Sequence, residues 1–181
     1  ESRLKALGEK HGVAMVILRP TLIYGCGMDQ NISRLWRWGN RSGFIPVARQ
    51  SGGLRQPVHA DDLAGLAVQS LQAETGEFLE SAACGGSTLA YREMVAATAR
   101  CCRRKTRVIP VPESLFASAL QAYSWFGGTG VNQEMVHRQA TDMVFDDTEL
   151  RQSLSWHPRP FRPARDDFSV PPIAAGFQLS G

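Results

Sequence analysis

Apolar residues run without alternation from Val13 to Leu18, between Gly12 and the pair Arg19-Pro20. A parallel strand buried on both faces has this pattern, and six residues are too few for a good helix. Proline has no amide proton to donate, so Arg19-Pro20 is expected to end the ladder and open a loop from Pro20 to Gly25. In open α/β sheets ligands lie beyond the carboxyl ends of the strands, which puts that loop on the rim of a binding crevice.

The remaining pattern alternates between short strands and amphipathic helices. Glu1 to Lys10 carries Leu4 and Leu7 among charges, closed by Gly8 and Gly12, and reads as the last turns of a helix without a start signal, as if cut from something longer. Asp29-Gln30-Asn31 can cap a helix over about 32–39, whose apolar side is Ile32, Leu35, Trp36 and Trp38; the tryptophans read as core or wall. A short extended piece over 43–47 and a brief strand after Gly52-Gly53 lead to a helix with Leu63, Leu66, Ala67 and Leu71 along one side. Asp61 or Asp62 stands at its positive end, and His59 just ahead reads as a tether for the loop. Further expectations are a strand over 77–81, a helix starting at Ser87 or Thr88, a strand over 107–112, and helices over 113–123, 132–141 and 146–154. Gly127 to Gly130 reads as a flexible turn, and the proline-rich end after Pro158 as an extended tail lying over the body.

Composition narrows the class. The 181 residues, 43% hydrophobic and 20% charged, suit one ordinary globular domain. The net charge of +3 comes with arginines dispersed along the chain, which argues against nucleic acid as a partner. The group Arg100, Arg103, Arg104 and Lys105 complements a helix carboxyl end and needs no ligand to explain it. The four cysteines lack metal-ligand spacing, so no metal site is expected, and a reducing cytoplasm is the expected setting. No apolar run is long enough for a membrane span.

Two segments carry a family likeness. Arg-Pro-Thr-Leu-Ile-Tyr-Gly at 19–25, followed by Leu-Arg-Gln-Pro-Val-His-Ala-Asp-Asp-Leu at 54–63, closely resembles the C-terminal part of extended short-chain dehydrogenase/reductases, the NAD-dependent epimerase/dehydratase family that includes nucleotide-sugar epimerases. Leu154 to Phe161 resembles the segment that often closes such chains. The resemblance implies an α/β fold: the last strands of a Rossmann-like doubly wound parallel sheet (1–25 and roughly 55–85) plus a small α/β substrate-binding subdomain and tail (roughly 26–54 and 86–181). It also implies that Pro20, Thr21, Leu22 and Ile23 cradle the nicotinamide of NAD or NADP, that Arg55 holds a substrate phosphate, and that Asn31 touches the substrate. Leu22 stands where sugar-nucleotide epimerases often place an asparagine.

The family's glycine-rich Gly-x-x-Gly-x-x-Gly turn does not occur in this sequence. Neither does its Tyr-x-x-x-Lys pair: Tyr24, Tyr91 and Tyr123 have no lysine four residues later. No catalytic residue is therefore assigned, and the chain is expected to be inactive alone, the substrate-side portion of an oxidoreductase. A non-catalytic scaffold or assembly subunit with the same fold is the alternative. Leaving about 400 Å² of an apolar strand wet would forfeit roughly 10 kcal/mol, comparable to the stability of a domain. Pairing with an N-terminal half, or self-association, is the expected remedy.

Overall fold

The structure is a computed structural model and describes residues 2–72, 79–112, 114–115 and 133–170. Helix α1 (Ser2–His11) leads through Gly12 to β1 (Val16–Pro20) and β2 (Leu22–Tyr24). Next come α2 (Ile32–Ser42), β3 (Phe44–Ala48), β4 (Leu54–Arg55), β5 (Pro57–His59) and α3 (Ala60–Gln72). After β6 (Leu79–Ala83) and β7 (Leu89–Ala90) follow α4 (Tyr91–Arg100), β8 (Arg107–Val111), α5 (Gln133–Ala140), α6 (Thr148–Ser153) and a single 3-10 turn at Asp166–Phe168. The expected helix over 113–123, apart from its residues 114–115, and the turn at Gly127–Gly130 lie outside the described residues.

Among the described residues, three of the four strand pairs are parallel, β1 with β6, β2 with β5 and β3 with β8, as an α/β chain with helical crossovers requires; β4 with β7 is antiparallel. The expected end of the first strand needs correction. Pro20 still pairs with Ala83, and Leu22–Tyr24 form a second strand where a loop was expected. Proline's missing donor does not break the run, because Thr21 N donates to Ala83 O at 3.2 Å and the chain then changes partner from β6 to β5. Burial departs as well: Val16, Ile17 and Leu18 are only half-buried, since among the described residues β1 pairs with β6 alone.

Among the described residues, two apolar clusters fill the interior. One joins Tyr24, Ile32, Ile45, Val47, Met94, Val95, Ala99, Phe161 and Phe168, where α2 and α4 pack on the inner face of β3 and β8. The other joins Val58, Leu66, Leu79, Ala83, Leu150, Leu154 and Trp156 around α3, β6 and α6. Of the expected tail, residues 156–165 lie extended over the body and the 3-10 turn at Asp166–Phe168 follows, while Pro171, Pro172 and the residues after them lie outside the described residues. Arg159 grips Asp62 through its backbone N (2.9 Å) and its guanidinium (2.8 and 2.7 Å), Phe161 N donates to Ser87 Oγ at 3.0 Å, and the Cys101 thiol donates to Pro163 O at 2.9 Å.

Candidate functional site

A cavity of about 690 Å³ opens where the chain leaves β1 and β2, lined by Thr21, Ile23, Gly25, Cys26, Met28, Asp29, Gln30, Asn31 and Ala60. That volume lies within the range of small-molecule sites. The cavity sits at the change of strand partner and beside the amino end of α2. Of the residues assigned from sequence, Thr21, Ile23 and Asn31 share this wall; Pro20 and Leu22 adjoin it in the chain without lining it.

Thr21 stitches three segments together, since its hydroxyl donates to Gln56 O while its amide donates to Ala83 O. Asn31 is the residue before α2, but Asp29 does the capping: its Oδ1 accepts Asn31 N at 3.1 Å and Ser33 N at 2.9 Å, and Oδ2 accepts the Ser33 hydroxyl. The Asn31 side chain makes no capping bond and remains exposed at the cavity.

The far wall is a left-handed turn of three consecutive residues, Gly25 (φ 101°), Cys26 (φ 61°) and Gly27 (φ 64°). Glycine is needed at both ends for two reasons, the backbone region and the space. A Cβ on Gly25 would lie 2.8 Å from His59 Nε2, and one on Gly27 would lie 2.6 Å from Phe168 O. Cys26 takes the same region with a side chain, which is uncommon outside such turns. Burial, with the carboxylates of Asp61 and Asp167, pushes its thiol above the usual range.

Behind the turn sits a buried polar group that the sequence shows only in part. His59 Nδ1 accepts Asp61 N at 3.1 Å, which anchors the first turn of α3, so Nε2 carries the hydrogen and donates to Asp167 Oδ1 at 3.2 Å. Asp167 also accepts Ala164 N on Oδ2 at 2.8 Å and Gly27 N on its backbone oxygen at 2.9 Å. His59 is thus the tether its place before α3 suggested. Its distant partner Asp167 carried no signal in the sequence. Tyr24 packs edge-on against both His59 and Phe161, at 5.0 and 4.9 Å between ring centres, and burial pushes its hydroxyl up to about 12.

Arg55 lies apart from the cavity lining. It is 6% exposed, and its guanidinium donates from Nη1 to Leu54 O (2.7 Å) and Thr141 O (2.8 Å) and from Nη2 to Arg138 O, so that it closes the carboxyl end of α5. Its carbon Cζ stands 5.6 Å from the centre of the Tyr91 ring, and burial lowers its pKa from the ordinary arginine value. Nε–H and the second Nη2 hydrogen have no acceptor among the described residues. No cluster of metal-ligating side chains occurs among the described residues, and no helix there is long and apolar enough to cross a membrane.

No protein-family profile matches the chain. A UDP-glucose 4-epimerase from Vibrio cholerae is 27% identical over 161 residues, which are 87% of this chain and 46% of that enzyme. Among solved structures, an epimerase from Methanothermobacter thermautotrophicus aligns with a TM-score of 0.66 at 12% identity, over 92% of this chain and 45% of that one. The UDP-glucose 4-epimerase of Thermus thermophilus, solved with NAD, gives 0.60 at 18% identity, over 92% and 49%. RMD from Pseudomonas aeruginosa, complexed with NADPH, gives 0.62 at 14%, over 93% and 50%. The chain thus spans about half the length of the proteins it matches, and the structural likenesses establish its Rossmann-like fold. By sequence and fold, the chain resembles the C-terminal part of an extended short-chain dehydrogenase/reductase of the NAD-dependent epimerase/dehydratase family.

Proposed function

We propose that this chain is the substrate-side portion of an NAD(P)-dependent oxidoreductase of the nucleotide-sugar epimerase/dehydratase kind. The observation that carries the reading is the cavity at the change of strand partner, which brings Thr21, Ile23 and Asn31 into one wall. Its donor set fits a nicotinamide: Ile23 and Met28 offer an apolar face to a flat ring, and the exposed Asn31 side chain can pair with a carboxamide or a sugar hydroxyl. When bound, the dinucleotide would supply the hydride acceptor. This chain's residues bind and orient. Pro20 to Ile23 form the cofactor side, and Asn31 lies on the substrate side.

In this reading Arg55 holds a substrate phosphate through the two guanidinium hydrogens left without an acceptor among the described residues, while the hydrogens on Thr141 O and Arg138 O keep the end of α5 in place. Residues 1–25 and roughly 55–85 belong to the nucleotide-binding sheet, and roughly 26–54 and 86–181 to the substrate subdomain. The edge of β1 that has no partner among the described residues accepts the strands of an N-terminal half, which carries the glycine-rich turn and the proton-moving tyrosine. The half-exposed Leu4, Leu7 and Val13 support this placement.

Cys26 offers a direct test, because it lines the cavity. Its alkylation by iodoacetamide, followed by peptide mass, is expected to slow when nicotinamide mononucleotide is added. Uridine diphosphate is expected to bind the chain and to lose that binding in Arg55→Ala. If neither compound protects Cys26 or binds at millimolar concentration, the reading fails.

A further inference from the structure

The arginines that lie scattered along the sequence are gathered by the fold. Residues 31–60 and 94–112 contain no Asp or Glu. The carboxyl ends of α2 and α4 meet at one end of the β3/β8 sheet. Arg103 N donates to Asn40 Oδ1 at 2.7 Å, Arg107 N to Gly43 O at 3.1 Å, and Thr106 Oγ1 to Gly39 O at 3.1 Å. Arg41, Arg103, Arg104, Lys105 and Arg107 are therefore crowded together, all exposed, and no carboxylate pairs with any of them among the described residues.

Helix dipoles do not account for this. Each carboxyl end is equivalent to about half a negative charge, so two ends offset about one of the five cations and leave roughly four. The same end also bears apolar groups on the surface: Trp38 is 44% exposed, Phe44 41% and Ile109 43%. Phe44 pairs with Arg107 and Pro46 with Ile109, so by strand alternation these four share the outer face, opposite Ile45 and Val47 in the core.

We propose that this end of the molecule is a docking surface for an anionic lipid bilayer. Charge complementarity selects an anionic partner. The apolar groups favour a bilayer over a nucleic acid, because tryptophan and phenylalanine suit the headgroup boundary and the aliphatic Ile109 offers nothing to base stacking. The patch is independent of the functional reading above. It lies at the carboxyl end of α2 whereas the cavity lies at the amino end, roughly 16 Å away at 1.5 Å per residue. A docked chain would hold its cavity away from the bilayer.

The test is cosedimentation of the whole chain with vesicles of phosphatidylcholine alone and of phosphatidylcholine mixed with phosphatidylserine. Binding is expected only to the mixed vesicles and is expected to fall with added salt. The triple substitution Arg103→Glu, Arg104→Glu, Lys105→Glu should weaken it by about 100-fold or more. The separate double substitution Arg41→Gln, Arg107→Gln should weaken it less and guards against a misfolded triple variant, with near-ultraviolet circular dichroism checking both. Trp38→Ser should reduce binding while leaving its salt dependence unchanged. Equal partition onto both vesicle types, no binding to the mixed vesicles, wild-type binding by the folded variants, or tighter binding to a short RNA than to the vesicles would each overturn the proposal.

Discussion

The layer of β3 and β8 and the layer of β1 and β6 are both two parallel strands with helices against them, yet they end differently. In the first, α2 and α4 close over Ile45, Val47, Met94 and Val95, each nearly or fully buried. In the second, β1 has one partner among the described residues, its apolar residues stay half-buried, and the neighbouring helices leave Leu4, Leu7 and Val68 about half exposed and Leu71 largely so. A parallel strand has two hydrogen-bonding edges and two faces to satisfy, and a central position in a larger sheet is what satisfies them. The contrast teaches that an apolar run does not bury a strand by itself: burial follows from the strands and helices the fold packs against it.

The largest expected effect falls where the chain leaving β6 passes β5. A Cβ on Gly85 would run into the backbone carbonyl of Pro57, which cannot move without pulling β5 from β2. Gly85→Ala should cost on the order of 4 kcal/mol or more in urea unfolding and should loosen the β2/β5 pair beside the end of β6. Within the closed layer, Ile45→Ala should cost about 2–5 kcal/mol. In the open layer Leu71, 87% exposed, should tolerate alanine within about 0.5 kcal/mol. Equal losses at these two sites would erase the comparison.

Alkaline pH gives a second measure of the closed layer. The Tyr24 hydroxyl ionises at about 12 in the folded chain and near 10 in the unfolded one, so the unfolded state releases its proton first. Its contribution is complete below pH 10 and is lost as pH rises toward 12. The loss should approach roughly 2–3 kcal/mol and be absent in Tyr24→Phe, as followed by unfolding across that window. The smallest effect is a cap: Asp29→Ala should cost about 1 kcal/mol, because two amides at the start of α2 lose their acceptor.

Most elements were legible in the sequence because their signals are local. The periodicity of Ile32, Leu35 and Trp36 gave α2, and the acid pair at 61–62 marked the start of α3. Where reading fell short, the missing information was non-local. Nothing near Pro20 says that β6 gives way to β5 as partner, and nothing near Arg55 says that its guanidinium closes a helix more than eighty residues on. The cap was placed among three polar residues, and only the geometry selects Asp29. Of the residues that line the cavity, family likeness named Thr21, Ile23 and Asn31. The Cys26 turn and Asp167 were not, since a left-handed cysteine and a distant carboxylate leave no periodic trace. The arginines are dispersed along the chain and gathered by the fold, because spacing along a chain says little about spacing in space.

The bond from Gly27 to Asp167 has a consequence for the order of events in the cell. A wall near the start of this chain is braced by residues near its end, so a growing polypeptide on the ribosome cannot finish shaping the cavity until that last stretch has emerged. On the function proposed above, ligand capture then requires synthesis through Asp167, and a product truncated before that residue would lack the acceptor that holds Gly27.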